Sequence, residues 1–201
     1  MTPLFAAVLL LSSGLGRAAE RKPPAPETSD SHASAQAAAL SDAEIAARVR
    51  ALLGSIDTPI PPAHWKALGP RAAALLAPLA RDPAQFPTRR AKALDGLSAL
   101  APPEAQALFL SLASGEFEPI VVRLSALRGL GRVVPAGKLQ ATLASLLAGA
   151  KEHAIRAGAA EVLASKGVGC AGVEAQVKRE TAEARGAYHR AEKACAELKA
   201  E

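Results

Sequence analysis

Residues 121–133 read VVRLSALRGLGRV, and the same pattern stands 33 residues earlier as TRRAKALDGLSAL (88–100) and 33 later as AIRAGAAEVLASK (154–166). Arg90, Arg123 and Arg156 hold the third place of each copy. Ala93, Ala126 and Ala159 agree, as do Leu97, Leu130 and Leu163. Leu94 matches Leu127 and Gly96 matches Gly129, while the third copy has Ala160 and Val162 at those places. The flanking stretches repeat too, Leu75 with Leu108, Leu79 with Leu112, Ala80 with Ala113 and Pro102 with Pro135. One further step lands on His189, so the register lapses toward the C-terminus.

A fixed period of this size means supersecondary units stacked side by side. Prolines and glycines split each period into halves of about a dozen residues, the length of an ordinary helix. PTRRAKALDGLSAL is thus followed by PPEAQALFLSLASGE, and PIVVRLSALRGLGRV by PAGKLQATLASLLAGA. One such pair cannot bury its apolar face alone, whereas several stacked pairs can. Composition agrees: half the residues are apolar, only six are aromatic, and alanine, the best helix former, dominates over strand formers. The expected fold is all-α, an α-solenoid of stacked antiparallel helical pairs.

At these residues the chain resembles the HEAT family, specifically the short bacterial HEAT-like repeats. VVRLSALRGLG carries the resemblance, with weaker copies in TRRAKALDGL and AIRAGAAEVL; it covers residues 62–167 well and the flanks poorly. The ankyrin Thr-Pro-Leu-His signature and the tetratricopeptide Trp, Gly and Tyr positions are missing. The resemblance implies an αα-superhelix, with Arg90, Arg123 and Arg156 fastening adjacent units together. The rival reading of those arginines is a row of anion contacts.

The N-terminus reads differently. Residues 1–18 hold an apolar run from Leu4 to Leu11 and end in the small-x-small pattern Gly16-Arg17-Ala18. The run is short for a membrane span, so a secretory signal cleaved after Ala18 is expected, with no membrane span in the mature chain and a periplasmic or extracellular destination. Residues 19–40 are rich in Pro, Ser and Ala with almost no large apolar side chain, the composition of a mobile tether. Folded structure is expected over 41–201. Ser41 and Glu44 form a capping box, Ile45, Val49, Leu52 and Leu53 share one helix face, and Gly54 ends that helix. A short helix follows around Trp65 and Leu68. Pro78 is expected to kink or end early the helix RAAALLAPLA.

Several motifs tempt and fail. GVGCAG (167–172) matches G-x-G-x-x-G, but a helical stretch precedes it where a dinucleotide fold needs a strand, so its glycines read as a helix stop and turn. His64, His153 and His189 lie far apart, none at metal-ligand spacing with a cysteine, and His32 falls in the tether. Glu116 and Glu118, in EFE, read as solvated loop carboxylates. HEAT-like folds include DNA glycosylases and bilin lyases, yet no aromatic-lined acidic pocket pattern is present, and a secretory leader argues against both. No catalytic residue, cofactor or metal is assigned, and the chain is read as not an enzyme.

The formal charge of +5 is spread among interspersed acids and bases without aromatic interleaving, which disfavours a nucleic-acid partner. Clustering of Arg71, Arg81, Arg89, Lys92, Arg128 and Arg132 on one face would favour it. The expected work is binding another protein, as a scaffold; the alternatives are a nucleic-acid-binding or enzymatic HEAT-like protein, or a purely structural envelope component.

Two cysteines in an exported chain invite a disulfide. Were residues 170–198 one continuous helix, Cys170 and Cys195 would stand roughly 37 Å apart along its axis. A hairpin turning near Ala182 and Glu183, with Arg185 starting the next helix, places them in register instead. That gap, KRETAE, contains no glycine or proline. The reading adopted is the hairpin, closed by a Cys170–Cys195 disulfide.

Overall fold

The computed structural model describes residues 40–55 and 59–200. The expected signal peptide and nearly all of the expected tether lie outside these residues. Every regular element among the described residues is a helix. In chain order they are α1 (Asp42–Gly54), α2 (Pro62–Lys66), α3 (Ala72–Arg81), α4 (Pro87–Leu100), α5 (Ala105–Ser114), α6 (Ile120–Val133), α7 (Ala136–Gly149), α8 (His153–Ser165), α9 (Cys170–Arg179), α10 (Ala182–Arg185) and α11 (His189–Ala200), with a 3-10 turn at Gly186–Tyr188 before the last. None is long and apolar enough to cross a membrane.

Local chemistry sets most boundaries. The Ser41 hydroxyl accepts from the Glu44 amide at 3.3 Å while the Glu44 carboxylate accepts from the Ser41 amide at 2.8 Å, so the capping box starts α1. Prolines stand at the first turn or cap of α2, α4, α6 and α7, where a missing N–H costs nothing. Of the two outcomes expected at Pro78, an early end does not occur: α3 continues past it to Arg81. Burial of Ala72, Ala73, Leu76 and Ala80 holds the helix together across the one lost backbone bond.

Packing follows the chain. Helix α3 lies on α4, α5 on α6 and α7 on α8, and in addition α4 packs on α6, α6 on α8 and α8 on α11. One apolar cluster runs from Ile45 through Trp65, Phe109 and Leu143 to Cys195. Positions that match at the 33-residue spacing share their burial: Ala93, Ala126 and Ala159 are fully enclosed, as are Leu97, Leu130 and Leu163. Gly96 and Gly129 let helices approach closely. A Cβ on Gly129 would sit 2.6 Å from a Phe109 ring carbon, and one on Gly96 would sit 2.9 Å from Trp65.

The C-terminal segment is two longer helices, α9 and α11, joined through the short α10 and a 3-10 turn, rather than one rod. The break falls at Glu180 and Thr181, two residues before the expected turn, and the next long helix starts at His189 rather than at Arg185. Glu180 adopts an extended backbone, and the Thr181 hydroxyl accepts from the Ala184 amide, capping α10. Cys170 and Cys195 are joined, their Cα atoms 5.7 Å apart.

Candidate functional site

Arg90 and Arg123 each reach both backward and forward along the chain. Arg90, in the first turn of α4, donates through Nε to the Ala80 carbonyl near the end of α3 at 2.9 Å. Its Nη1 meets the Glu118 carboxylate, just before α6, at 2.7 Å. Arg123 repeats this on the next pair, with Nε to the Ala113 carbonyl at 3.0 Å and Nη1 to Glu152 at 2.6 Å. Each guanidinium therefore satisfies a carbonyl at the end of the preceding helix and holds a carboxylate at the entry to the helix two places on, Glu152 being the N-cap of α8 and Glu118 preceding the Pro119 cap of α6. Arg90 is 3 % exposed and Arg123 is 2 % exposed. Such burial removes them from any row of anion contacts facing solvent.

Arg156 closes the series with a different partner. Its Nη1 donates to the Ala150 and Lys151 carbonyls at 2.7 and 2.8 Å, while Nε and Nη2 grip Glu180 at 2.5 and 2.6 Å. Glu180 also accepts from Gln176 Nε2 at 2.7 Å and from the Tyr188 hydroxyl at 2.6 Å. The Arg156 hydrogen bonds, with help from Tyr188 and Gln176, pull the Glu180 carboxyl down to about 2. Burial, then the hydrogen bond to Glu180, pushes the Tyr188 phenol up to about 12. Arg156 is itself held further above its ordinary value by Glu180.

The carboxylates Glu118, Glu152 and Glu180 escaped the sequence reading. Glu118 is not a solvated loop acid but the partner of Arg90, and Glu116 pairs with Lys151 at 2.7 Å. A faint signal existed: Glu118 and Glu152 stand two residues and one residue before a helix start. Between the two anchored carboxylates sits Phe117, 102 % exposed, in a turn closed by the Glu118 amide donating to the Gly115 carbonyl. Ile120 and Val121, which open α6, are exposed beside it in sequence.

The six cations singled out from the sequence divide among several places, with Arg81 exposed at the end of α3. Arg89 and Lys92 line a cavity of about 710 Å³ with Trp65, Phe86 and Asp95. Arg128 and Arg132 line a second of about 500 Å³ with Glu161, Lys166 and Arg190. Arg71 instead pairs with Asp42 at 2.7 Å and donates to the Leu40 carbonyl, tying down the last residue of the expected tether. Burial pushes the Asp95 carboxyl upward against the pull of Arg128 and Arg132.

The remaining candidates take structural places. Gly167 and Gly169 have φ of +69° and +73° and form the turn between α8 and α9, with the Val168 amide donating to the Leu163 carbonyl. His64, His153 and His189 are exposed on α2, α8 and α11. Among the described residues no group of three His, Cys, Asp or Glu side chains could hold a metal ion. No protein-family model, curated protein or solved structure matches the chain.

Proposed function

We propose that the chain is a non-catalytic scaffold, an α-solenoid of HEAT-like helical pairs, that after export holds another protein against its surface. The stack is supported by the shared burial of positions 33 residues apart and by the Arg90 and Arg123 ties from one pair to the next. The binding role rests on Phe117. A bare aromatic ring is an unfavourable thing to leave in water, and burying one against a partner is worth about 1.5–3 kcal/mol. Here the ring stands on a turn whose two neighbours, Glu116 and Glu118, are each anchored to a different cation. Little further ordering is then needed on binding, which is the property of a good anchor residue.

A photo-crosslinking amino acid placed at position 117 in the producing cells tests this reading. An adduct to one protein is expected at 117 and none at position 141, an exposed alanine on α7. Phe117→Ser should then weaken binding of that purified protein at least about tenfold, the loss of one anchor. Equal labelling at both positions, or none at 117, would overturn the proposal. Export has its own check: intact mass of the periplasmic protein should begin at Ala19, and a retained Met1 removes export from the reading.

A further inference from the structure

The cavity of about 500 Å³ between α6, α8 and α11 is lined by four cations and one carboxylate. Arg128 and Arg132 stand one helical turn apart on α6, both exposed at their outer ends. Buried hydroxyls aim them: Arg128 donates to Ser125 Oγ at 2.7 Å and Arg132 to Ser98 Oγ at 2.6 Å. Lys166 follows α8, and Arg190 enters from α11, 2.9 Å from Glu161. Among the described residues neither Arg132 nor Lys166 has a carboxylate within 4.0 Å. Arg128 and Arg190 are thus partly balanced, by Asp95 at 3.8 Å and by Glu161, while Arg132 and Lys166 bring unbalanced charge to the concave surface.

The sign pattern narrows what would fit. Asp95, Arg128 and Glu161 occupy one repeat position, 33 residues apart, so charge alternates along the row. A phosphodiester strand carries a negative charge at every step and would meet Asp95 and Glu161 unfavourably. A polypeptide can set carboxylates opposite Arg132, Lys166 and Arg190 and leave neutral residues opposite the acids. Helices packed about 8–10 Å apart match roughly three residues of a polyproline-II chain at about 3.1 Å each, whose three-residue turn brings every third side chain back to the same face. We infer that this groove binds an acidic peptide segment in polyproline-II form, with carboxylates about three residues apart. This site is separate from Phe117 and stands or falls without it.

Fluorescence anisotropy of the oxidised full chain with a labelled synthetic peptide, glutamate at every third position with glycine and serine between, decides the matter. Binding is expected at low salt and should vanish near 1 M salt, where the screening length shrinks to about 3 Å. The double variant Arg132→Gln, Lys166→Gln should lose about tenfold or more in affinity, since two charge-assisted contacts go. Glu161→Gln should bind more tightly, a change of opposite sign that loss of folding cannot mimic. Phe117→Ser should leave the peptide affinity unchanged. Equal affinity of the double variant and the parent overturns the inference, as does equal binding of the glutamine version of the peptide. An oligothymidylate that binds tighter than the peptide overturns it in favour of a nucleic-acid groove.

Discussion

Replacing Glu180 with glutamine removes one charge from a buried polar network while nearly preserving shape. The Glu180 side chain is 4 % exposed and accepts four hydrogen bonds, two from Arg156 and one each from Gln176 and Tyr188. Its carboxyl is drawn from 4.5 to about 2, chiefly by Arg156. At 1.36 kcal/mol for each factor of ten in acidity, that difference corresponds to about 3 kcal/mol of folding free energy. The unfolded carboxyl binds its proton first as pH falls, so the contribution is complete above about pH 4.5, shrinks on acidification and is gone below about pH 2. Urea midpoints of parent and Glu180→Gln, followed from neutral pH to about 2, measure it. Differences between the two chains matter here, because Glu44, Asp82, Glu152 and Glu174 are also held below their ordinary values and contribute equally to both. A gap of about 3 kcal/mol is expected at neutral pH, closing as the acid range is crossed. A gap that persists unchanged at about pH 2 would show that shape, not charge, sets the loss, and the network reasoning would fail.

Leu130 is fully enclosed, so Leu130→Ala should cost about 2–5 kcal/mol, and an unchanged urea midpoint would place the side chain in solvent instead. Gly129→Ala would put a methyl 2.6 Å from the Phe109 ring and should cost about 1–3 kcal/mol. Gly137→Ala, with open space around it on α7, should gain up to about 1 kcal/mol; equal melting points for the two variants would mean that the Phe109 ring swings aside. Reducing Cys170–Cys195, which closes a 25-residue separation, should remove about 3 kcal/mol from the end of the chain and speed amide exchange in α9 and α11 before α4 and α6. Two titratable thiols in protein kept under oxidising conditions would contradict the bond itself.

The all-helical fold was legible because helix-forming alanines and leucines recur at a fixed spacing, and the matched leucines Leu97, Leu130 and Leu163 are equally buried. The cysteine pair was legible from two residues and one register. At Pro78 the helix does not end early, because the missing N–H is outweighed by burial of Ala72, Ala73, Leu76 and Ala80. The C-terminal turn was displaced by two residues, since its breaker is the Thr181 hydroxyl rather than a glycine or proline. Hardest to see were the partners of the arginines. Glu118, Glu152 and Glu180 lie 28, 29 and 24 residues after Arg90, Arg123 and Arg156, so they keep no common spacing. Their pairing is fixed by how one helical pair meets the next, which no local pattern records.

That contrast bears on where function can reside. Arg90 and Arg123 repeat with their contacts almost unchanged, and their guanidiniums are closed off from solvent by the very carbonyls and carboxylates they satisfy. A residue so enclosed can hold helices together but cannot greet a ligand. The position five residues further on keeps the same spacing yet carries Asp95, Arg128 and Glu161, a different charge each time, and leaves each of them partly open to water. Stacking constrains the first position and leaves the second free. Under the proposed binding role, recognition would be written at the places where the repeat varies: in the charge order across α4, α6 and α8, and in Phe117, an exposed ring on a loop whose counterparts before α4 and α8 carry Ala84 and Ala150 at the same spacing.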